Sequence, residues 1–383
     1  ALGIIPLCLV MFRKESIANA LKRTLPYIGI AIIYLILREK FSGGFSSGLA
    51  AKNLMDNPYL GMDLGTKLST LFFIAGKYVS LLFAPINLSY DYSYNTIGWR
   101  KLNDPFVWLS IIAIVGSTVY AVRELISSIN KKKEPSIIVF GIWFYIMSYS
   151  VVSNFVFNIG TYMGERFIYM ASLGFCLALA ALIAQVFKVD TNSELKISGK
   201  WLIPVLIILV PFTAMSISRN MDWKDNYSLY KADIDKVPNS ARARLFIGIE
   251  ELNKFYATKD DKMLASAIDQ MTKSTEIYPD FYHAFYNLGL AYQAKQDHKN
   301  AVRVFQRVLE IQPTHINTQY YLGMSYGTGF KDTKKAIEYM ERGIRYGYNG
   351  ADRYINLGVA YGMSGQLQKA AASFEKAIPD NVN

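Results

Sequence analysis

Cysteine and histidine are scarce. Across 383 residues there are two cysteines and three histidines. Cys8 and Cys176 each sit inside an apolar run, where a thiol behaves as a small packing residue, so neither a disulfide framework nor a cysteine metal site is expected. His283, His298 and His315 fall in the C-terminal half without the spacing of a ligand set, so no metal and no metal cofactor is expected. There is no charged leader followed by a small-residue cleavage site. The chain opens instead on "ALGIIPLCLVMF" (1–12), shorter than the ~20 apolar residues a spanning helix needs. This stretch reads as the second half of a cut transmembrane helix, so the chain is expected to be an N-terminally truncated fragment. Acidic charge is also in deficit: 41 Lys and Arg stand against 30 Asp and Glu, a net charge of +11. Such a balance can signal nucleic acid. Here the basic residues sit in loops between apolar runs, where they mark the cytoplasmic side of a membrane protein and face anionic lipid. Nucleic acid is not expected as a partner.

What is abundant is hydrophobic sequence, 52% of the chain, concentrated before about residue 217. Apolar segments cover 1–12, 22–38, 68–86, 105–126, 136–156, 167–187 and 201–217. The fold class predicted is all-α: a polytopic membrane domain (1–217), a connecting segment (218–237) and a helical repeat domain (238–383). Segment 68–86, "LSTLFFIAGKYVSLLFAPI", carries Lys77 at its centre, and a charge at mid-bilayer costs about 2.5–3.5 kcal/mol. If this segment dips in and returns, the loops on one side carry ten Lys and Arg against six on the other. If it crosses, the split is seven against nine. The positive-inside rule favours the first arrangement. The loop "LSYDYSYNTIGW" (88–99), the pair Glu165-Arg166 and the exit of the last apolar segment then share the non-cytoplasmic side.

The C-terminal part repeats itself. Leu288-Gly289 with Tyr292 recurs as Leu322-Gly323 with Tyr326 and as Leu357-Gly358 with Tyr361, at spacings of 34 or 35 residues. Ala301 with Phe305 recurs as Ala336 with Met340 and Ala370 with Phe374. An earlier copy, Ala267 with Met271 and Pro279, has a degenerate first helix displaced by an insertion near "YATKDDK". Period and pattern resemble the tetratricopeptide repeat, antiparallel helix pairs that stack into an α-solenoid with a concave groove. No polar capping helix is visible, so the array is expected to continue past Asn383. Asn287 and Asn356 directly precede Leu-Gly. In the similar repeats of the nuclear and cytoplasmic O-linked N-acetylglucosamine transferase, asparagines at this place hold an extended peptide, an amide being both donor and acceptor. Here Tyr321 interrupts the ladder.

On the non-cytoplasmic face, Glu165-Arg166 admits two readings. It is a snorkelling or internal ion pair, or an anion site in which the guanidinium grips phosphate two-pronged. "NLSYDYSYNTIGWRK" likewise reads as an interfacial aromatic belt or as a sugar-binding wall, with Asp91 among Tyr90, Tyr92 and Tyr94. Lys77 is a second candidate phosphate partner. "SRNMDWKDNYSLY" is assigned a structural role, with Trp223 and Tyr230 docking the first repeat.

These stretches occur in one order: "NPYLGMDLGTKL", "GKYVSLLFAPINLSYDYSYN", "GERFIYMASLGF" and "SRNMDWKDNYSLY", then repeats. Together they resemble the transmembrane and tetratricopeptide repeat-containing O-mannosyltransferases and their bacterial relatives. The resemblance implies a C-type glycosyltransferase that moves a sugar, mannose, from a polyprenyl-phosphate carrier to a protein hydroxyl on the lumenal or periplasmic side. What carries over is limited to Asp91, Glu165 and Arg166 as donor-phosphate or sugar contacts; the residues' own chemistry adds Lys77 and Tyr92 on the donor side and Glu165 as the residue that orients Arg166, and the repeats add a groove with Asn287 and Asn356 for the acceptor peptide. The family's catalytic acidic residue belongs to an earlier loop, before residue 1, so no catalytic residue is assigned. The only cofactor-like molecule implied is the polyprenyl-phosphate sugar donor. The Lys- and Tyr-rich composition and the short connections favour a bacterial inner membrane with periplasmic repeats, the alternative being the endoplasmic reticulum with lumenal repeats. A non-enzymatic membrane scaffold and a lipid-linked polysaccharide polymerase or ligase are the alternative functions.

Overall fold

Helix is the only regular structure among the described residues of the computed structural model, which are 2–42, 53–131, 136–155, 158–188, 202–348 and 352–378. The chain divides into two units, Ala1–Lys224 and Asp225–Asn383.

The first unit contains α1 (Ile4–Arg13), α2 (Ile17–Ser42), α3 (Leu64–Phe83), α4 (Pro105–Lys131), α5 (Ile137–Ser150), a 3₁₀ turn (Glu165–Ile168), α6 (Tyr169–Val186) and α7 (Leu202–Asp222). Five of its segments are long and apolar enough to cross a bilayer: Ile17–Phe41, Leu64–Phe83, Pro105–Asn130, Glu165–Val186 and Leu202–Asp222. Large apolar side chains such as Ile30 and Ile207 point outward, as a lipid-facing surface requires. The chain is a polytopic membrane protein. Between membrane helices there is no hydrophobic drive, so close approach through small residues has to supply the packing. The antiparallel pair α5 and α6 does this: a Cβ on Gly141 or on Gly174 would strike the other glycine's carbonyl oxygen.

α3 and α4 run side by side in the same direction. Phe73 meets Phe106 with ring centroids 5.1 Å apart, and further along Gly76 lies against Ser110. Two parallel neighbours need a connection that climbs back, and residues 84–104 do so. Near its end, the Arg100 N–H donates to Thr70 Oγ1 at 3.0 Å and the guanidinium lies 4.2 Å from the Phe73 ring centre. The segments before and after α3 therefore meet in one polar layer. Tyr162 joins them: its hydroxyl donates to the Pro58 carbonyl at 3.3 Å and its N–H to the Tyr92 carbonyl at 3.2 Å. By these contacts the segments before and after α3 are tied together along its flank, and Lys77 is half-buried in its last two turns.

The second unit begins with α8 (Asn226–Ile234). Four helix pairs follow: α9 (Ala241–Thr258) with α10 (Asp261–Ile277), α11 (Tyr282–Ala294) with α12 (His298–Ile311), α13 (Ile316–Phe330) with α14 (Thr333–Arg345), and α15 (Asp352–Met363) with α16 (Leu367–Ala377). This is the tetratricopeptide α-solenoid. Three of the second helices open on an aspartate cap, Asp260, Asp297 and Asp332, whose carboxylates accept from the N–H of Lys262, Asn300 and Lys335. Each such cap contributes roughly 1 kcal/mol. The Leu-Gly glycines mark where paired helices touch. A Cβ at Gly323 would lie 2.8 Å from the Ala336 carbonyl oxygen, and one at Gly358 would lie 2.8 Å from the Phe374 ring. In the connecting segment, the Tyr230 ring packs 5.6 Å from that of Phe246 in the first repeat. Trp223 is exposed, beside Arg219.

The first repeat is displaced in sequence because α9 is longer than its counterparts. Gly248 packs against Met271 as Gly289 does against Phe305. Three residues on, where the other repeats place Tyr292, Tyr326 and Tyr361, the first has Glu251. This carboxylate is 7% exposed. One oxygen accepts from Ser266 Oγ at 2.8 Å, and the other has no hydrogen-bond partner among the described residues. Desolvation by burial pushes the Glu251 carboxyl up, against the Ser266 hydrogen bond that pulls it down. A carboxyl raised in the folded state contributes stability below its ordinary value near 4.3 and loses it as pH rises through the folded value. Glu251→Gln is therefore expected to stabilise the repeats at pH 7 by about 1 kcal/mol, with the gain vanishing near pH 4. Thermal melts of the variant at both pH values check this.

Candidate functional site

The polar layer is built from irregular backbone at 53–63, 84–104, 151–155 and 158–164, at the ends of apolar helices. In such a setting each backbone N–H and C=O must find a partner, because lipid offers none. Gly164 is the pivot. Its backbone is extended, and a Cβ there would lie 2.9 Å from the Phe167 ring. Tyr78, fully buried on α3, donates its hydroxyl to the Gly164 carbonyl at 3.1 Å and accepts the Gly164 N–H at 2.8 Å. A single phenol thus satisfies both polar groups of the residue before Glu165-Arg166.

With Gly164 held, the next two residues turn apart. Glu165 points inward. Its Oε1 accepts from the Ser89 N–H at 2.7 Å and from the Tyr92 hydroxyl at 2.8 Å, both charge-assisted bonds of the stronger kind. Arg166 is exposed on the outer side of the turn, its guanidinium 5.1 Å from the Phe167 ring centre. The carboxylate is engaged by the 84–104 segment, and the guanidinium lies on the other side of the turn.

Asp91 and Tyr92 are buried. Asp91 Oδ2 accepts from Ser93 Oγ at 2.7 Å and from the Ser93 N–H at 3.3 Å, the local pattern by which aspartate stabilises a turn. Tyr92 presents its hydroxyl to Glu165, so its ring is part of the layer's core; the more exposed aromatic of this stretch is Trp99. Asn154, which the sequence reading passed over, donates through Nδ2 to the carbonyls of Thr161 and Tyr162 at 3.0 and 3.1 Å. Thr161 Oγ1 donates to the Tyr92 carbonyl at 2.8 Å. Burial pushes the Tyr162 phenol up to about 12, against a hydrogen bond with Trp99. Lys77, one residue before Tyr78, is half-buried on α3. No cluster of His, Cys, Asp and Glu able to hold a metal ion occurs among the described residues.

Tyr78, Ser89 and Asn154 were not singled out from sequence. The one available signal was a tyrosine beside Lys77 in an otherwise apolar run, a polar group needing a partner at membrane depth.

In the repeats, Asn287 Nδ2 donates to the His283 carbonyl of its own helix at 2.8 Å. Asn356 Nδ2 donates to the Tyr320 hydroxyl at 2.5 Å. At the equivalent place between them, Tyr321 packs near Tyr286 and Phe305, with centroids at 6.2 and 6.5 Å. The row is amide, aromatic, amide, and both amide N–H groups are engaged within the solenoid.

Comparison with known proteins gives a consistent outline. The tetratricopeptide repeat family model matches residues 282–315, and a second tetratricopeptide repeat model matches 351–378. The chain is 24% identical over 279 residues to the protein O-mannosyl-transferase TMTC1 of Mus musculus, covering 70% of this chain and 27% of that one. It is 22% identical over 367 residues to the protein O-mannosyl-transferase Tmtc3 of Drosophila melanogaster, covering 90% of this chain and 37% of that one. The chain thus spans about a third of the length of the curated relatives it matches. Among solved structures, a crystal structure of MamA aligns at 23% identity and a TM-score of 0.36, covering 41% of this chain and 82% of that one.

The layer's dependence on one phenol is testable. Tyr78→Phe keeps the ring and removes both bonds to Gly164, at an expected cost of about 1–3 kcal/mol. Amide exchange at Gly164 and Ser89 is expected to accelerate, whereas the same change at the exposed Tyr120 should leave both unaltered.

Proposed function

Related as it is to the TMTC protein O-mannosyl-transferases, this chain is, we propose, part of a membrane glycosyltransferase that moves a sugar from a polyprenyl-phosphate donor to a protein hydroxyl. Mannose is the sugar, and the repeats receive the acceptor protein. The observation that carries this reading is the divergence at the 3₁₀ turn: Glu165 is locked to Ser89 and Tyr92 while Arg166 stands exposed at the polar layer.

A guanidinium grips phosphate oxygens two at a time and cannot lose its charge at physiological pH. Arg166, aided by Lys77, holds the donor phosphate and stabilises the charge that builds on it as the glycosidic bond breaks, the kind of preorganised electrostatic contribution that dominates many transfer reactions. Glu165, Asp91 and Tyr92 shape the donor site from behind by fixing the segment that faces it. The group that takes the acceptor's proton is not assigned to a residue of this chain. The acceptor lies along the Asn287, Tyr321, Asn356 row of the solenoid, whose amides retain a carbonyl oxygen each for a peptide N–H. Repeats and polar layer share the non-cytoplasmic side, the periplasmic face of a bacterial inner membrane.

The test uses membranes carrying the full-length protein and polyprenyl-phosphate mannose labelled in the sugar. Label is expected on protein. Arg166→Ala is expected to lower kcat/KM for the donor by roughly 10- to 100-fold, the range of a lost charge-assisted contact of about 1.5–3 kcal/mol. Label recovered on glycan, or donor kinetics unchanged by the substitution, contradicts the reading.

A further inference from the structure

Asn287, Tyr321 and Asn356 hold the same place in three successive repeats, at spacings of 34 and 35 residues. Each amide spends an N–H inside the solenoid, Asn287 on the His283 carbonyl and Asn356 on the Tyr320 hydroxyl. Each keeps a carbonyl oxygen, the group that accepts the N–H of an extended peptide. Tyr321 offers no carbonyl. Its phenol oxygen lies within hydrogen-bond reach of the Tyr348 hydroxyl, so the middle rung presents mainly ring. Tyr286 stands beside it, also half-buried. The two rings are inclined at 59° with centroids 6.2 Å apart, and Phe305 backs Tyr321 at 6.5 Å. Together they make an angled pair of aromatic walls.

The surroundings are neutral. Neither α11 nor α13 carries a Lys, Arg, Asp or Glu, whereas α12 and α14 are rich in both signs. A charged residue laid along α11 and α13 would lose hydration without gaining a partner. An extended chain crossing the row therefore meets amide, ring, amide. At the outer rungs its N–H groups find acceptors. At the middle rung an N–H would be pressed against aromatic carbon and left unpaired, which weakens binding. Proline is the residue without an N–H, and aromatic-lined grooves take extended segments through their prolines. We propose that Tyr321, with Tyr286 beside it, selects an uncharged acceptor segment that carries proline at the middle rung. This rests on the acceptor row proposed above and adds which segments that row accepts.

The full-length protein in nanodiscs, titrated with fluorescent peptides of alanine, glutamine and glycine, tests the assignment by anisotropy. These peptides have no hydroxyl, so binding is read apart from sugar transfer. One proline is walked through the peptide, with a proline-free peptide as reference. At one position the proline peptide is expected to bind roughly 5- to 10-fold tighter than the reference, the size of one polar group left unsatisfied. Tyr321→Asn, which gives the middle rung its neighbours' amide, should cut that advantage to less than about twofold, and Tyr321→Phe, which keeps the ring, should retain it. A lysine or glutamate beside the proline should weaken binding by about fivefold or more. Equal affinity wherever the proline sits, a preference that survives Tyr321→Asn, or indifference to charge overturns the proposal. If no peptide binds, the acceptor row falls with it. Sugar transfer to protein alongside a groove indifferent to proline sinks this inference alone. Proline-dependent binding in a protein that transfers no sugar leaves the selection by Tyr321 standing and sinks the enzymatic reading.

Discussion

One phenol hydroxyl, that of Tyr78, lies between the N–H and the C=O of Gly164, and the polar layer of the membrane unit depends on it. Irregular segments meet where apolar helices end. Irregular backbone is tolerated there only if protein replaces the missing water. Tyr78 does so for Gly164, Asn154 for the carbonyls of Thr161 and Tyr162, and Tyr162 for that of Pro58. Because Tyr78 belongs to α3, that helix also fixes the doorway to α6. The return of 84–104 along its flank and the orientation of the 3₁₀ turn are therefore one constraint seen from two sides.

From that constraint follows the arrangement of charge. A glutamate beside an arginine in sequence invites the reading of an ion pair. With Gly164 held extended, the carboxylate is delivered to Ser89 and Tyr92 and the guanidinium to the surface. The carboxylate accepts from two donors inside while the guanidinium stands exposed beside the Phe167 ring.

How far this was legible in sequence differs by part. The solenoid was plain, because glycine and aromatic positions recurring every 34 or 35 residues reflect a contact each repeat must make with its own second helix. The first repeat was harder: Glu251 stands where tyrosine is expected, and α9 is longer, so the period breaks although the geometry persists. The place of Lys77 within segment 68–86 and the balance of basic loops could be read from the sequence. The partners of Glu165 could not. They lie more than 70 residues away, and nothing local to "GERF" says which of two adjacent side chains turns inward. Asn287 and Asn356 were read correctly as to repeat position. Their hydrogen bonds to His283 and Tyr320 were beyond reach, because a side-chain amide chooses between its own helix and its neighbour according to packing.

The account stands on the claim that the stretches on either side of α3 face the same aqueous compartment. With Cys8 and Cys176 replaced by serine, single cysteines at Leu60, Ile86 and Lys22 can be probed in sealed vesicles with a membrane-impermeant maleimide. The account predicts that Leu60→Cys and Ile86→Cys react from one and the same side and Lys22→Cys from the other. Reaction of Leu60→Cys and Ile86→Cys from opposite sides would show α3 crossing the bilayer and would contradict it.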